Sequence, residues 1–367
     1  MIRVGLVGFG LAGKVFHAPM ITAVEGLELA AVVERSARNA EAAYPGITTY
    51  PSLDAMLGDK TLELIVIATP DNWHAVQAEQ ALKAGRHVVV DKPVAATSGE
   101  IADLIAQAAV SNRFLIPFHN RRWDSDFRTL QKLLLEQKLG NVVSLESTFD
   151  RWRPHPKLAA WREDGSTTGG ILLDLGTHLV DQALVLFALP EAVAAEVATE
   201  REGSVTVDSF TVRLYYPDQV ITLSANCLAA QPRPRYRVRG TKGNFVKWGL
   251  DPQEARLRET PKVIEPGWGM EPTSVWGTVV VEPEGETTSS KDLGGNMVTY
   301  PLKPIPGDYR LLYAGVRDAI LGKAPPPVLA VDAWRTARVL ELAVESSASR
   351  SAVTCDWTQE PGTGQTS

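Results

Sequence analysis

Ile2-Arg3-Val4-Gly5-Leu6-Val7-Gly8-Phe9-Gly10-Leu11-Ala12-Gly13 opens the chain with a short apolar, β-branched run that passes straight into G-x-G-x-x-G. Ile2–Val7 reads as a strand, and the glycines as the turn that hands it to a helix. At such a turn Gly8 permits the tight bend, Gly10 lets a pyrophosphate approach the backbone, and Gly13 lets helix and strand pack closely. The helix N-terminus adds unpaired N–H groups and a positive dipole end. Gly8, Phe9, Gly10, Leu11, Ala12 and Gly13 are therefore the candidate phosphate cradle of a dinucleotide.

Downstream of this turn, strand-like runs near 28–34, 63–68, 87–90 and 113–118 alternate with amphipathic stretches, as a parallel sheet with crossover helices requires. Helix boundaries are marked by Ser52 ahead of Leu53, by Gly85 closing 73–84, and by the capping box Thr97-x-x-Glu100. Past residue 120 the rhythm changes to a helix near 126–138, a strand near 141–149, a Gly-rich lead-in at 165–170 and a helix near 171–187. Consecutive strand-like runs follow near 193–200, 205–215, 219–227, 235–239 and 244–248, which implies a largely antiparallel sheet. Residues 258–306 read as irregular connections with one or two strands, and helices are expected near 308–321 and 330–348. The expected fold is α/β: a Rossmann doubly wound parallel sheet over 1–120, an α+β domain with an open, mostly antiparallel sheet over 121–355, and a flexible tail over 356–367.

Composition agrees with two soluble domains. At roughly 150 residues per domain, 367 residues suggest two. A net charge of -6 argues against a surface built for nucleic acid. Cys227 and Cys355 are too few and too far apart for a disulfide framework or a zinc knuckle, so a reducing cytoplasm is expected and no metal site. No apolar run is long enough to span a membrane.

The second strand ends at Glu34-Arg35-Ser36, about 20 residues beyond the glycines, where the adenosine ribose is read. Glu34 suits the 2′-hydroxyl of NAD, whereas Arg35 and Ser36 suit the 2′-phosphate of NADP. The cofactor is read as NAD or NADP, leaning slightly to NAD. Thr69, Pro70, Asn72 and His74 follow the third strand and should lie along the cofactor, with His74 near its ribose or nicotinamide.

His87-Val88-Val89-Val90-Asp91-Lys92-Pro93 and Asp174-Leu175-Gly176-Thr177-His178 add two further motifs in order. Together with the glycine fingerprint they resemble the Gfo/Idh/MocA oxidoreductases, whose signatures are a strand ending in Glu-Lys-Pro and a D-x-G-x-H helix. Gly10–Pro19, His119–Asp124 and Trp161-Arg162-Glu163 resemble the branch of scyllo-inositol dehydrogenases and YdgJ-type oxidoreductases. The resemblance implies hydride transfer between a nicotinamide and a secondary alcohol of a cyclic polyol or sugar, in a homodimer or homotetramer assembled through the second sheet. It leaves two other readings: a glycoside-modifying enzyme that retains its NAD, and a sensor that binds dinucleotide and sugar without catalysis.

Oxidising an alcohol needs a base within reach of the hydroxyl, and an imidazole ordinarily titrates near 6.5, which makes His178 the candidate. Asp174, four residues earlier, is expected on the same helix face, orienting the imidazole or holding a neighbouring hydroxyl. Lys92 ends a strand at the carboxyl edge of the sheet and suits an alkoxide-like transition state. The resemblance assigns Lys92, Asp174 and His178 to catalysis, and Asp91, in place of the commoner Glu, to placing ribose or nicotinamide. Asn120 and Arg122 follow the fifth strand and are expected at nicotinamide or substrate. Arg153, Trp161 and Arg162 would rim the pocket, although an Arg-rich loop equally fits oligomer contacts.

Overall fold

The computed structural model describes residues 1–34, 38–156, 163, 170–261, 267–282 and 297–362. Strands β1 (Ile2–Val7), β2 (Leu27–Val33), β3 (Thr48–Tyr50), β4 (Leu64–Ile67), β5 (His87–Val90) and β6 (Leu115–Pro117) form a parallel sheet in the order β3-β2-β1-β4-β5-β6. That is the order of the doubly wound dinucleotide fold. Val4, Leu6, Leu64, Ile65, Val66 and Val89 are all fully buried because helices cover both faces, which is why these strands read as unbroken apolar runs. The capping box forms as expected: Thr97 Oγ1 accepts from the Glu100 N–H at 3.2 Å, and Glu100 Oε2 from the Thr97 N–H at 3.3 Å.

The second sheet contains β7 (Val142–Thr148), β8 (Ala192–Ala198), β9 (Ser209–Tyr215), β10 (Val220–Asn226), β11 (Tyr236–Gly240), β12 (Gly243–Lys247), β13 (Gly277–Val281), β14 (Val298–Leu302) and β15 (Val353–Thr354). Their order is β14-β13-β12-β11-β7-β10-β9-β8-β15. The β7–β10 pair is parallel and its other pairs are antiparallel, so the mostly antiparallel reading holds. Helices Thr177–Phe187 and Ala330–Ser349 cover one face, burying Val193, Phe210, Val212 and Leu214.

Two packing relations cross the boundaries drawn from the sequence. The segment assigned wholly to the second domain returns to the first: Tyr309, Leu312, Tyr313 and Val316 of helix Arg310–Ile320 and the residue before it join the core on one face of the parallel sheet, while Ala330, Ala333 and Trp334 join the other. The tail is also docked as far as it is described. Trp357 Nε1 donates to Pro190 O at 3.0 Å, its ring meets Trp334 edge-on at 6.3 Å, and Arg335 binds both carboxylate oxygens of Glu360. Strand β3 and helix Gln253–Glu259 went unread, the first for its three residues, the second because Leu257 is its one buried apolar side chain.

Removing the tail's anchor should therefore destabilise the whole fold: Trp357→Ala is expected to lose about 2 kcal/mol in urea unfolding, toward the low end for truncating a large, part-buried aromatic. An unchanged midpoint would show that residues 356–362 do not contribute to the native core.

Candidate active site

The three fingerprint glycines have different duties. Gly8 sits at φ +96°, and a Cβ there would stand 2.9 Å from Ala68 O; one on Gly13 would stand 2.1 Å from Gly8 O. Those two positions are closed by the protein itself. A Cβ on Gly10 would meet nothing within 4 Å, so the space in front of it is kept for a ligand. It opens on a cleft of about 650 Å³ bounded by Phe9, Leu11, Ala12, Glu34, Trp73 and Lys92, of a size and placement that fit a dinucleotide. The helix behind the turn starts as a π turn, Gly13–His17, before Ala18–Ala23.

Around this cleft, the sequence-derived residues divide. Glu34 lines it, with Oε2 accepting from the Ala40 N–H at 2.8 Å. Thr69 and Pro70 line it, Thr69 Oγ1 donating to Gln77 at 2.7 Å, whereas Asn72 is exposed and lies off the cleft wall. His74 is buried and its ring is shared between two carbonyls, Pro93 O at 2.6 Å and Thr69 O at 2.9 Å. It therefore ties the loop after β4 to the loop after β5 rather than presenting both nitrogens to a ligand. Asp91 Oδ1 accepts from the Lys92 N–H at 2.8 Å, and Oδ2 lies 3.7 Å from His17 Nε2. Burial would raise the Asp91 carboxyl, but His17, Lys92 and His74 together hold it at about 2. Arg35, Ser36, Trp161 and Arg162 lie outside the described residues.

At the inner end, Lys92 Nζ donates to both Asp174 Oδ1 and Asp174 O, each at 2.7 Å. Asp174 belongs to a second π turn, Leu172–Gly176, which precedes the helix carrying His178. Its carboxylate faces Lys92 and, at 3.5 Å from Oδ2, Arg151 Nη1. The expected Asp174 bond orienting the imidazole is not made, since His178 Nδ1 has no hydrogen-bond partner among the described residues. The physical reason is competition: two cations claim the carboxylate. Burial, followed by the fields of Lys92, Arg121 and His119, pushes the His178 imidazole well below 6.5 against the opposing pull of Asp174. It stands as a neutral base at pH 7.

Arg122, expected to meet substrate or nicotinamide, is instead consumed by protein carboxylates. It grips Asp181 with Nε and Nη2 at 2.9 and 2.6 Å, and Nη2 also reaches Asp332 at 3.0 Å. It pins the turn after β6 to both helices of the second layer. Asn120 opens that turn and is buried, and Arg153 is exposed and is not among the residues lining the cleft. Arg151, in the Asp150-Arg151-Trp152-Arg153 stretch that the sequence places around the pocket, is the arginine that reaches Asp174. Its guanidinium lies 5.2 Å over Phe149, a signal available from the two-residue alternation out of a buried strand end.

Family models for an oxidoreductase family match residues 2–119 as its NAD-binding Rossmann fold and residues 131–355 as its C-terminal alpha/beta domain. The chain belongs to the Gfo/Idh/MocA oxidoreductase family. It is similar to the oxidoreductase YdgJ of Escherichia coli, 41% identical with 95% of this chain and 97% of that one covered. It is also similar to scyllo-inositol 2-dehydrogenase (NADP(+)) of Bacillus subtilis, 33% identical over 94% of each. A solved oxidoreductase from Yersinia pestis shares 42% identity and superposes with a TM-score of 0.89 over 97% of both chains. This Gfo/Idh/MocA protein is thus a dehydrogenase whose first domain binds NAD or NADP. Among the described residues, no helix is long and apolar enough to cross a membrane.

Two measurements separate structural from ligand-facing residues here. Gly10→Ala should keep its melting temperature and lose about tenfold or more in dinucleotide affinity, equivalent to ~1.4 kcal/mol, while Gly13→Ala should lose stability first. Similar melting temperatures for both variants would contradict this division. Arg122→Ala leaves the Asp181 carboxylate buried without its cation, and should cost about 3 kcal/mol in urea unfolding. A raised KM with unchanged unfolding would instead restore Arg122 to the substrate.

Proposed function

We propose that this family member is an NAD(P)-dependent dehydrogenase that transfers hydride between a secondary alcohol of a cyclic, inositol-like polyol or sugar and the nicotinamide. One observation carries the reading: an ion-paired Lys92 at 2.7 Å from Asp174, beside a buried His178 held neutral, at the inner end of the dinucleotide cleft. The polyol class is supported by the relative named as a scyllo-inositol dehydrogenase.

When bound, the nicotinamide supplies the hydride acceptor; the protein supplies everything that concerns the proton. A neutral imidazole at His178 accepts the hydroxyl proton of the alcohol. Lys92 has three N–H donors, of which Asp174 takes two, leaving one for the alcohol oxygen. That bond strengthens as the oxygen becomes alkoxide-like, so it favours the transition state over the ground state. Asp174 is a positioning residue for Lys92, and Arg151 holds its other oxygen. Asn120 and Arg153 are assigned to substrate hydroxyls with Trp161 and Arg162, and Glu34, Arg35 and Ser36 to the choice between NAD and NADP. The division of labour is a cofactor domain over 1–120 and a substrate domain over 121–355, working in the cytoplasm. Assembly as a homodimer or homotetramer would use the sheet face opposite the helices, where Glu146, Thr211, Arg213, Tyr215 and Thr222 remain part-exposed.

The test is a panel of inositols and sugars with NAD and NADP in parallel, followed at the reduced-nicotinamide absorbance. His178→Ala should lower turnover by about 10²–10⁴-fold while dinucleotide affinity stays nearly unchanged. Because its imidazole is depressed, the wild-type acid limb of kcat/KM should lie below pH 6.5, and the variant should lack it. A limb centred above pH 7 that survives in His178→Ala would give the base role to another group, and no activity across the panel would favour a sensor.

A further inference from the structure

Asp91 forms part of the wall of the dinucleotide cleft beside Lys92, and what stands behind it comes from both ends of the chain. His17, fully buried at the last position of the π turn Gly13–His17, points Nε2 at Asp91 Oδ2 from 3.7 Å. Its Nδ1 lies 2.6 Å from the Tyr313 hydroxyl on helix Arg310–Ile320. Neither ring lines the cleft. The imidazole is clamped, with Phe118 tilted against it at 4.2 Å between ring centroids and Tyr313 edge-on at 6.2 Å. Nε2 is sealed from solvent and has no hydrogen-bond partner among the described residues, so the Asp91 carboxylate is what it faces.

The proton positions follow from these two neighbours. Burial, and after it the Asp91 charge, pushes the Tyr313 phenol well above its usual value, so Tyr313 keeps its proton and can donate it. If a neutral imidazole carried its proton on Nδ1, the bare Nε2 would face a carboxylate, two acceptors opposed in a low-dielectric interior. With the Tyr313 hydroxyl donating to Nδ1, the proton sits on Nε2, and a doubly protonated ring carries one there as well. In both favourable states an N–H points at Oδ2. Against the effect of burial, His17 does most to hold the Asp91 carboxyl at about 2, ahead of Lys92 and His74. At 3.7 Å the contact is electrostatic rather than a made hydrogen bond. Since Oδ1 accepts from the Lys92 N–H at 2.8 Å, the carboxylate is steadied at both oxygens and still has lone pairs to offer the cleft.

We propose that Tyr313 and His17 are positioning residues for the cofactor: Tyr313 fixes the proton on His17 Nε2, and His17 fixes Asp91 as a hydrogen-bond acceptor for the nicotinamide riboside half of NAD or NADP. The role rests on the placement of Asp91 at that half, which the family resemblance implies. The bonded pair is 296 positions apart, so a hydroxyl with no access to the ligand ties the C-terminal helix to cofactor affinity. Mere packing of Tyr313 behind the fingerprint turn would act on the pyrophosphate instead, and the two effects separate by ligand.

NADH (or NADPH) is compared by calorimetry with ADP, which keeps the adenosine and pyrophosphate but lacks the nicotinamide riboside. In the full-length protein, Tyr313→Phe and His17→Leu should each weaken the reduced dinucleotide about fivefold or more and leave ADP unchanged within about twofold. His17→Gln, whose amide can accept from Tyr313 and donate to Asp91, should stay within about twofold of the unsubstituted protein for both ligands. The imidazole nitrogen resonances that vanish in His17→Gln should report a protonated Nε2. Equal weakening of the dinucleotide and ADP would reduce the pair to scaffolding of the fingerprint turn and overturn the proposal, as would His17→Leu matching His17→Gln, or an Nε2 without its proton. In Asp91→Ala, unchanged affinity for the reduced dinucleotide would remove Asp91 from the cofactor and the proposal with it, whereas a loss there without one in Tyr313→Phe would overturn the positioning role alone.

Discussion

Everything at the catalytic end of this molecule depends on one ammonium held by one residue: Lys92 Nζ bound to both a side-chain and a main-chain oxygen of Asp174. The two partners are 82 positions apart and come from different layers, one from the end of β5, the other from a π turn. Burying such a pair costs desolvation that the Coulomb attraction alone does not reliably repay. It persists because the surrounding elements over-determine it. Asp91 accepts from the Lys92 N–H, His74 clasps Pro93 O, and Arg151 steadies the far carboxylate oxygen. The π turn matters in the same way. It places Asp174 so that its main-chain carbonyl as well as its carboxylate meets Lys92.

The cofactor end is built by the same device. Its helix also begins with a π turn, whose last residue, His17, bonds Tyr313 at 2.6 Å through Nδ1 and faces Asp91 with Nε2. Tyr313 comes from after β14, so the support of the fingerprint turn is completed only once all of the second sheet but its edge strand β15 has been laid down. Together with Trp334 and Ala333 beneath β4 and β5, this makes the first domain incomplete without the last 60 or so residues. A linear division at residue 120 describes the sheets but not the cores.

That difference marks where sequence reading stops. Strands β1, β2, β4, β5 and β6 were legible because burial on both faces writes an unbroken apolar run into local sequence, and the glycine fingerprint because its steric demands are local too. Gly10, Lys92, Asp174 and His178 were placed together by motif order, and the structure brings the last three to one point. Partner identity was not legible. Nothing within Asn120-Arg121-Arg122 tells that Arg122 is spent on Asp181 and Asp332, 59 and 210 positions away. Nor does the four-residue spacing of Asp174 and His178 reveal a π turn between them, which turns the acid toward Lys92. Trp357 looked like part of a polar tail because its socket is made by Pro190 and Trp334, both distant in sequence.

The electrostatic setting of His178 then follows from the charges packed around it. Arg121 lies behind it, its guanidinium held by Asp124 and Glu254, while Tyr309 donates to the other oxygen of Asp124 at 2.6 Å. Gln182, one turn beyond His178, donates to Arg121 O at 2.9 Å and fixes that cation against the helix carrying the base. A fixed positive charge behind an imidazole disfavours its protonation, and so does Lys92 in front of it. Asp174 would oppose this more strongly if its carboxylate were not already neutralised by Lys92 and Arg151. On the proposed mechanism the ion pair therefore acts twice: it aims an ammonium at the place where an alkoxide would form, and it removes the counter-charge that would have protonated the neighbouring imidazole. On that mechanism a proton donor and a proton acceptor are separated by environment rather than by residue type, so two basic side chains share one site with opposite duties.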